Sequence, residues 1–221
     1  MKEYKLPIGC DVPETIILAD GDFPSHPLAL EWLRQCPYVV CCDGAANTYI
    51  RSGRMPEAIV GDGDSLLPDI KERYASLIHS EAEQETNDLS KAFRFCLSQE
   101  RKRITIMGAT GKREDHTIGN VSLLADYMEQ AEVSMMTDYG IFVPIREDSM
   151  FESYIGQQIS VFNMNSTALS AEGLAYPLSV FTNWWQGTLN EALARHFIIR
   201  TEGKVLSLIH ISEPTRRSYI S

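Results

Sequence analysis

The chain has 221 residues, 44% hydrophobic and 23% charged, which is the composition of an ordinary globular protein with one large or two small domains. With 30 acidic against 20 basic residues, its formal net charge of −10 excludes a sequence-independent nucleic-acid binder, which must neutralise phosphates with Lys and Arg. An acidic chain can still take a polyphosphate, but only with a metal ion or a local cationic patch.

Residues 15–19 form a short apolar run of strand length that ends at Asp20-Gly21-Asp22. Residues 27–36 read as a helix, 38–42 as the next strand and 44–51 as a second helix stopped by Gly53. Residues 58–60 lead into the acidic turn Gly61-Asp62-Gly63-Asp64, and Pro68 suits the first turn of a helix reaching Tyr74. After 77–79, Thr86 or Asn87 can cap a helix whose Leu89, Ala92, Phe93, Cys96 and Leu97 make one apolar stripe. A strand at 104–107, a glycine-containing loop at 108–114, a helix at 115–130 and strands at 132–137 and 141–145 complete the series. This alternation predicts a mainly parallel α/β domain over residues 1–145.

From Arg146 the pattern turns to short period-two runs at 158–162, 168–171 and 197–200, with 189–194 ambiguous between helix and strand. Residues 146–206 therefore read as a small all-β sandwich domain. Residues 207–221, with Pro214 and Arg216-Arg217, fit neither domain and are expected to be an extraneous tail. The cysteines Cys10, Cys36, Cys41, Cys42 and Cys96 are odd in number and lack C-x-x-C spacing, so neither a disulfide framework nor a zinc knuckle is indicated. No apolar stretch has transmembrane length and no signal-peptide core is visible, so a cytoplasmic protein without membrane partners is expected.

Four segments at strand-to-helix junctions carry candidate chemistry. Asp62 and Asp64, separated by flexible Gly63, can converge on one hard cation through oxygen ligands; an ordinary acidic turn is the plainer reading of that triplet alone. Asp88 begins a helix, where the dipole stabilises a carboxylate by roughly 0.3–1 kcal/mol, so simple capping competes with metal binding. Gly108-Ala109-Thr110-Gly111-Lys112-Arg113 can bring backbone N–H groups and two cations to phosphate oxygens, although the Walker A spacing fails. Asp43, in Asp43-Gly44-Ala45-Ala46-Asn47, reads either as a partner of the metal site or as a cap, and His116 as a base or a structural residue.

Taken together and in order, DGAAN at 43–47, GDGDS at 61–65, TNDLSKA at 86–92 and GATGKREDHTIGN at 108–120 resemble the thiamine pyrophosphokinase family, over nearly the whole chain to Leu206. The resemblance implies an N-terminal α/β domain that binds ATP and Mg²⁺, a β-sandwich domain that binds thiamine, and a homodimer with thiamine at the subunit interface. It implies that Asp62, Asp64 and Asp88 bind Mg²⁺, that Asp43 lines the same site, that Gln84 lies near the nucleotide, and that Lys112, Arg113 and Asp115 belong to the phosphate-side loop. Thr188 and Asn190 match a Ser/Thr-x-Asn element near thiamine. Gly63 departs from the bulky residue that members often carry there, and Lys112-Arg113-Glu114-Asp115-His116 departs from the usual G-R-x-D-H. Trp184 and Trp185 could stack on a thiazolium, but core packing of the sandwich is the expected role.

The activity so implied is transfer of pyrophosphate from ATP to the thiamine hydroxyl, giving thiamine diphosphate and AMP, with Asp62, Asp64, Asp88, Arg113 and Asp115 as the catalytic set. A metal-dependent nucleotide pyrophosphohydrolase and a non-catalytic thiamine- or nucleotide-binding module are the alternatives.

Overall fold

The computed structural model describes residues 1–6, 11–80 and 85–211. In chain order its strands and α-helices are β1 (Lys2–Tyr4), β2 (Thr15–Leu18), α1 (Pro27–Gln35), β3 (Val39–Cys42), α2 (Ala45–Arg51), β4 (Ala58–Gly61), α3 (Pro68–Arg73), β5 (Ile78–Ser80), α4 (Asp88–Ser98), β6 (Arg103–Met107) and α5 (Glu114–Tyr127). They continue with β7 (Glu132–Met136), β8 (Gly140–Ile145), β9 (Ser149–Glu152), β10 (Gln158–Asn163), β11 (Leu169–Glu172), β12 (Asn190–Glu191), β13 (His196–Thr201) and β14 (Val205–His210). Two compact units result: the described residues of 11–138, and 1–6 joined to 139–211.

The first unit is an α/β domain on a parallel sheet of order β7-β6-β2-β3-β4-β5. Strands β2, β3 and β4 are buried along their whole lengths, as parallel strands covered on both faces must be, and this is why they read as unbroken apolar runs. From β2 the chain winds outward through β3, β4 and β5, then returns to the other side of β2 with β6 and β7. The loops after β2 and β6 thus flank the switch point, where ligands of such sheets bind. Backbone hydrogen bonds from Gly21 N–H to the Gly108 carbonyl (2.6 Å) and from Asp22 N–H to the Thr110 carbonyl (2.8 Å) tie the two loops together.

Helix α4 follows its sequence pattern. Leu89, Ala92, Phe93 and Cys96 are buried, and the Asn87 side chain caps it by accepting from the Ser90 N–H at 3.0 Å. Helix α5 ends at Tyr127, short of the expected 130, because the chain tightens into i→i−3 bonds from Glu129 to Asp126 and from Gln130 to Tyr127. Strand β5 is preceded by a short 3₁₀ turn at Ala75–Leu77.

The second unit is an all-β sandwich of the four-stranded sheet β1-β9-β13-β11 and a second layer formed by the neighbouring strands β12-β10-β14-β8. Phe151, Phe197 and Ile199 from one sheet and Ile159, Val161 and Val205 from the other are at most 1% exposed and make its core. Phe151 stacks on Phe197 and on Tyr4, with ring centroids 5.0 and 4.7 Å apart.

Three boundaries differ from the sequence reading. Strand β8 pairs antiparallel with β14, so it belongs with the sandwich rather than with a domain ending at 145. Strand β1 pairs with β9, which brings the N-terminal residues into the same unit. Strand β14 extends through His210 between β8 and β10, so residues 207–210 are not extraneous; Ser207 is fully buried. Residues 212–221 lie outside the described residues. The ambiguous 189–194 segment supplies only the short strand β12. Among the described residues, no helix is long and apolar enough to cross a membrane.

Candidate active site

Asp43 follows β3 directly, with φ of 25°, and is 3% exposed. Its Oδ2 accepts from the Ser65 N–H at 3.0 Å, while Oδ1 is buried without a hydrogen-bond partner. A Cβ on Gly61 would come within 2.7 Å of the Asp43 Cβ, so only glycine lets the end of β4 pass this close. One carboxylate oxygen from each of Asp43, Asp62 and Asp64 falls within 4.8 Å of the others.

Burial raises the Asp43 pKa to about 6; the N–H of Ser65 opposes the rise, and Asp64, Asp88 and Asp62 add to it. Asp64 is lowered, first by its hydrogen bonding with Asp62 and then by the Ser65 hydroxyl. Burial and the acidic neighbours thus favour the protonated form of Asp43 more than that of Asp64. A buried carboxylate oxygen with no fixed donor, facing two more carboxylates, fits a hard divalent cation that would take the place of a proton shared with Asp64.

Asp43 and Ser65 also line a cavity of about 480 Å³ at the carboxyl ends of the strands. Asp20 and Asp88 are acidic on its wall, and Lys112 and Arg113 are cationic. Of the expected metal set, Asp62 and Asp64 come together with Asp43, whereas Asp88 is not in their group. Asp88 leads α4 and is drawn to the buried Lys91 one turn later, whose Nζ lies 3.0 Å from Asp88 Oδ1. The two sites still sense each other, since Asp88 helps to raise Asp43.

In the basic loop, Lys112 takes a left-handed backbone (φ 57°) and pairs with Asp20 at 3.0 Å. A Cβ on Gly44 would meet Asp20 Oδ2 at 2.6 Å, so this glycine admits the Asp20 carboxylate to the start of α2. Arg113 forks onto Asp115 through Nε to Oδ1 (3.1 Å) and Nη2 to Oδ2 (2.6 Å), and both side chains are exposed. That fork holds the Asp115 carboxyl below its ordinary range and makes it a poorer proton acceptor. Asp115 is not among the residues that line the cavity, while Arg113, Lys112 and His116 are.

Sequence reasoning passed over Asp20 and Asn120. The buried Asn120 donates to the Ala109 carbonyl at 2.8 Å and accepts from Asn87 Nδ2 at 3.1 Å, joining α5 to the β6 loop and to the α4 cap. Its signal was present: a polar residue at 120 shares the spacing of the buried Leu124 and Tyr127.

Thr188, Asn190, Trp184 and Trp185 lie in the other unit. Asn190 is buried and bonded at both ends of its amide, accepting from the N–H groups of Tyr176 (3.0 Å) and Glu191 (2.9 Å) and donating to the Tyr176 carbonyl (2.8 Å). The Thr188 hydroxyl donates to the Trp185 carbonyl at 2.7 Å. Neither tryptophan is core, contrary to expectation: Trp184 is 46% and Trp185 73% exposed, because the 3₁₀ turn at Trp184–Gly187 carries them off the sheet face. Gln84 lies outside the described residues.

Comparison with known proteins adds two family matches in chain order: "Thiamin pyrophosphokinase, catalytic domain" over residues 29–136 and "Thiamin pyrophosphokinase, substrate-binding domain" over 140–207. "Thiamine pyrophosphokinase 1" of Oryza sativa subsp. japonica is 30% identical over 129 residues, 47% of this chain and 49% of that protein. "Thiamin pyrophosphokinase 1" of Caenorhabditis elegans is 30% identical over 110 residues, 46% of this chain and 45% of that protein. The matched sequence thus spans about half the length of these curated relatives. The solved thiamin pyrophosphokinase from Candida albicans superposes with a TM-score of 0.77 over 96% of this chain and 93% of its own, at 18% identity, a likeness of fold.

Proposed function

The chain belongs to the thiamin pyrophosphokinase family, and from that premise we propose that it transfers the pyrophosphoryl group of ATP to the hydroxyl of thiamine, giving thiamine diphosphate and AMP. The observation that carries the reading is the buried, unpartnered Oδ1 of Asp43 beside Asp62 and Asp64, at a cavity whose wall also bears Lys112 and Arg113.

In this reading the thiamine oxygen bonds to the β-phosphorus as the bond from that phosphorus to the α-bridging oxygen breaks; the leaving electron pair stays with AMP, and the hydroxyl proton passes to solvent. Asp43, Asp62 and Asp64 would hold Mg²⁺, with Asp88 on the adjoining wall. A bound Mg²⁺ supplies charge screening of the triphosphate and polarisation of its phosphorus. Lys112 and Arg113 bind phosphate oxygens and stabilise charge on the transferred or leaving group. Asp115 orients Arg113, a role its lowered pKa suits better than proton abstraction. Thiamine binding by the sandwich near Thr188, and a homodimer with thiamine at the subunit interface, complete the reading on the strength of the family resemblance. Free thiols at Cys36, Cys41, Cys42 and Cys96 accord with a reducing, cytoplasmic compartment.

A pure binding module gains nothing from a self-repelling carboxylate cluster, and a pyrophosphohydrolase would act without thiamine. Incubation with ATP, Mg²⁺ and thiamine should therefore release AMP in step with thiamine diphosphate, with little product when thiamine is omitted or Mg²⁺ chelated. ADP as the main product, or AMP formed without thiamine, would overturn the proposal. Sedimentation at assay concentration checks the dimer.

A further inference from the structure

The acidic turn is held from several sides. The Asp64 N–H donates to Asp62 Oδ1 at 3.2 Å, and the Ser65 hydroxyl to Asp64 Oδ1 at 3.1 Å. The Ser65 N–H donates to Asp43, and the Ser65 carbonyl accepts from Asn47 Nδ2 at 2.8 Å. Asn47 Oδ1 in turn accepts from the Leu67 N–H at 3.0 Å. These bonds fix the ends of the turn and leave its middle, Gly63, to a different device.

Gly63 is buried and left-handed, with φ of 74°. Its carbonyl accepts from Lys71 Nζ at 2.7 Å, a charge-assisted bond delivered from α3. A Cβ on Gly63 would lie 3.3 Å from Lys71 Nζ and 3.4 Å from Cε, so the end of the lysine side chain occupies the space above the glycine. Pro68 starts α3 and the Lys71 N–H donates to the Leu67 carbonyl at 2.8 Å, which sets the lysine at the fourth position of this short helix and over the loop. The peptide so clamped lies between the two carboxylates that flank Gly63 and must converge if they are to share an ion.

We propose that Lys71 is a positioning residue: its ammonium clamps the Gly63 carbonyl and holds Asp62 and Asp64 in the geometry that takes a divalent cation. The inference rests on the reading of Asp43, Asp62 and Asp64 as that cation's site. Two effects of the ammonium oppose each other, since its charge repels an incoming cation while its hydrogen bond pre-forms the turn. The hydrogen bond prevails, because the lysine side chain is bathed in solvent that screens its charge, whereas a directed bond to a buried peptide is not replaced when the donor is lost.

The test is Mn²⁺ affinity of the full chain, read by titration calorimetry without nucleotide, alongside thermal melting of the metal-free protein. Lys71→Met should weaken Mn²⁺ binding about tenfold, the loss of one charge-assisted hydrogen bond, and lower the metal-free melting temperature by a few degrees, roughly 2–6 °C, because the Gly63 carbonyl is left without its donor. Lys71→Arg, which keeps a cationic donor, should restore affinity to within about twofold of the parent. Unchanged affinity in Lys71→Met would overturn the positioning role, and tighter binding would show that the ammonium acts only as a repelling charge. Failure of the metal reading itself looks different: the parent would bind no Mn²⁺, or Asp62→Asn would bind it as well as the parent, and the inference would fall with it.

Discussion

Asp43 in the α/β unit and Asn190 in the sandwich are buried to nearly the same degree, 3% and 4% exposed, yet their polar atoms fare differently. Asn190 spends both ends of its amide on the backbone of Tyr176 and Glu191, pinning the loop before it to β12. Asp43 spends one oxygen on Ser65 and leaves the other without a partner beside two further carboxylates. A buried polar group that is fully satisfied supports the fold, whereas one left unsatisfied costs stability that folding alone does not return. By that measure we propose that Asp43 faces something the chain itself does not contain, while the bonds of Asn190 hold the loop before β12 whether or not thiamine lies beside it.

The sharpest way to break this contrast is to remove charge at the acidic cluster. Asp43→Asn and Asp62→Asn should each lower thiamine diphosphate formation about a hundredfold or more while the melting temperature holds or rises, because repulsion among the carboxylates is relieved. Near-normal turnover in both would leave the cluster without a catalytic role.

The reverse pattern is expected at Asn190. Asn190→Ala removes the partner of part-buried peptide groups of Tyr176 and Glu191 and should cost about 1–3 kcal/mol in denaturant unfolding. A variant as stable as the parent but unable to use thiamine would move Asn190 from the architecture to the binding site.

Protons give a third probe. The Asp43 pKa stands at about 6 in the folded protein against an ordinary value of 3.8, so the folded state binds the proton more tightly than the unfolded one. Stability from this group is therefore fully present below about pH 4 and is lost as pH rises through about 6 in the metal-free protein. Mn²⁺ or Mg²⁺ at pH 7 should restore it, and Asp43→Asn should abolish this pH dependence; melting curves from pH 4 to pH 7, with and without metal, read both.

The smallest effect concerns the exposed tryptophan of the sandwich. Trp185→Ala should change unfolding free energy by less than about 0.5 kcal/mol, since a side chain 73% exposed has little contact to lose. A rise in the KM for thiamine without a change in stability would make Trp185 a ligand contact, and a large loss of stability would return it to the core.

Local patterns in the sequence were enough for the α/β elements and for the placing of charged residues at strand ends. Continuous apolar runs at β2, β3 and β4 declare a sheet covered on both sides, and the stripe through Leu89, Phe93 and Cys96 declares the buried face of α4, because both follow from periods shorter than the element itself. The carboxylates and the basic loop were legible for a related reason: they stand at strand ends, where the chain order of a parallel sheet already places loops on one side. Non-local pairing was not legible. Strands β1 and β9 carry too few residues to show a period, and Ser207–His210 read as a tail because nothing in their own sequence says that β8 and β10 lie on either side of them. The sequence also could not show that Asp43 is drawn in beside Asp62 and Asp64 while Asp88 pairs with a lysine. That arrangement depends on the tertiary structure: Lys91 returns one turn of helix later to meet Asp88, while the close pass of Gly61 buries Asp43 beside Asp62 and Asp64 and leaves one of its oxygens with no donor from the chain.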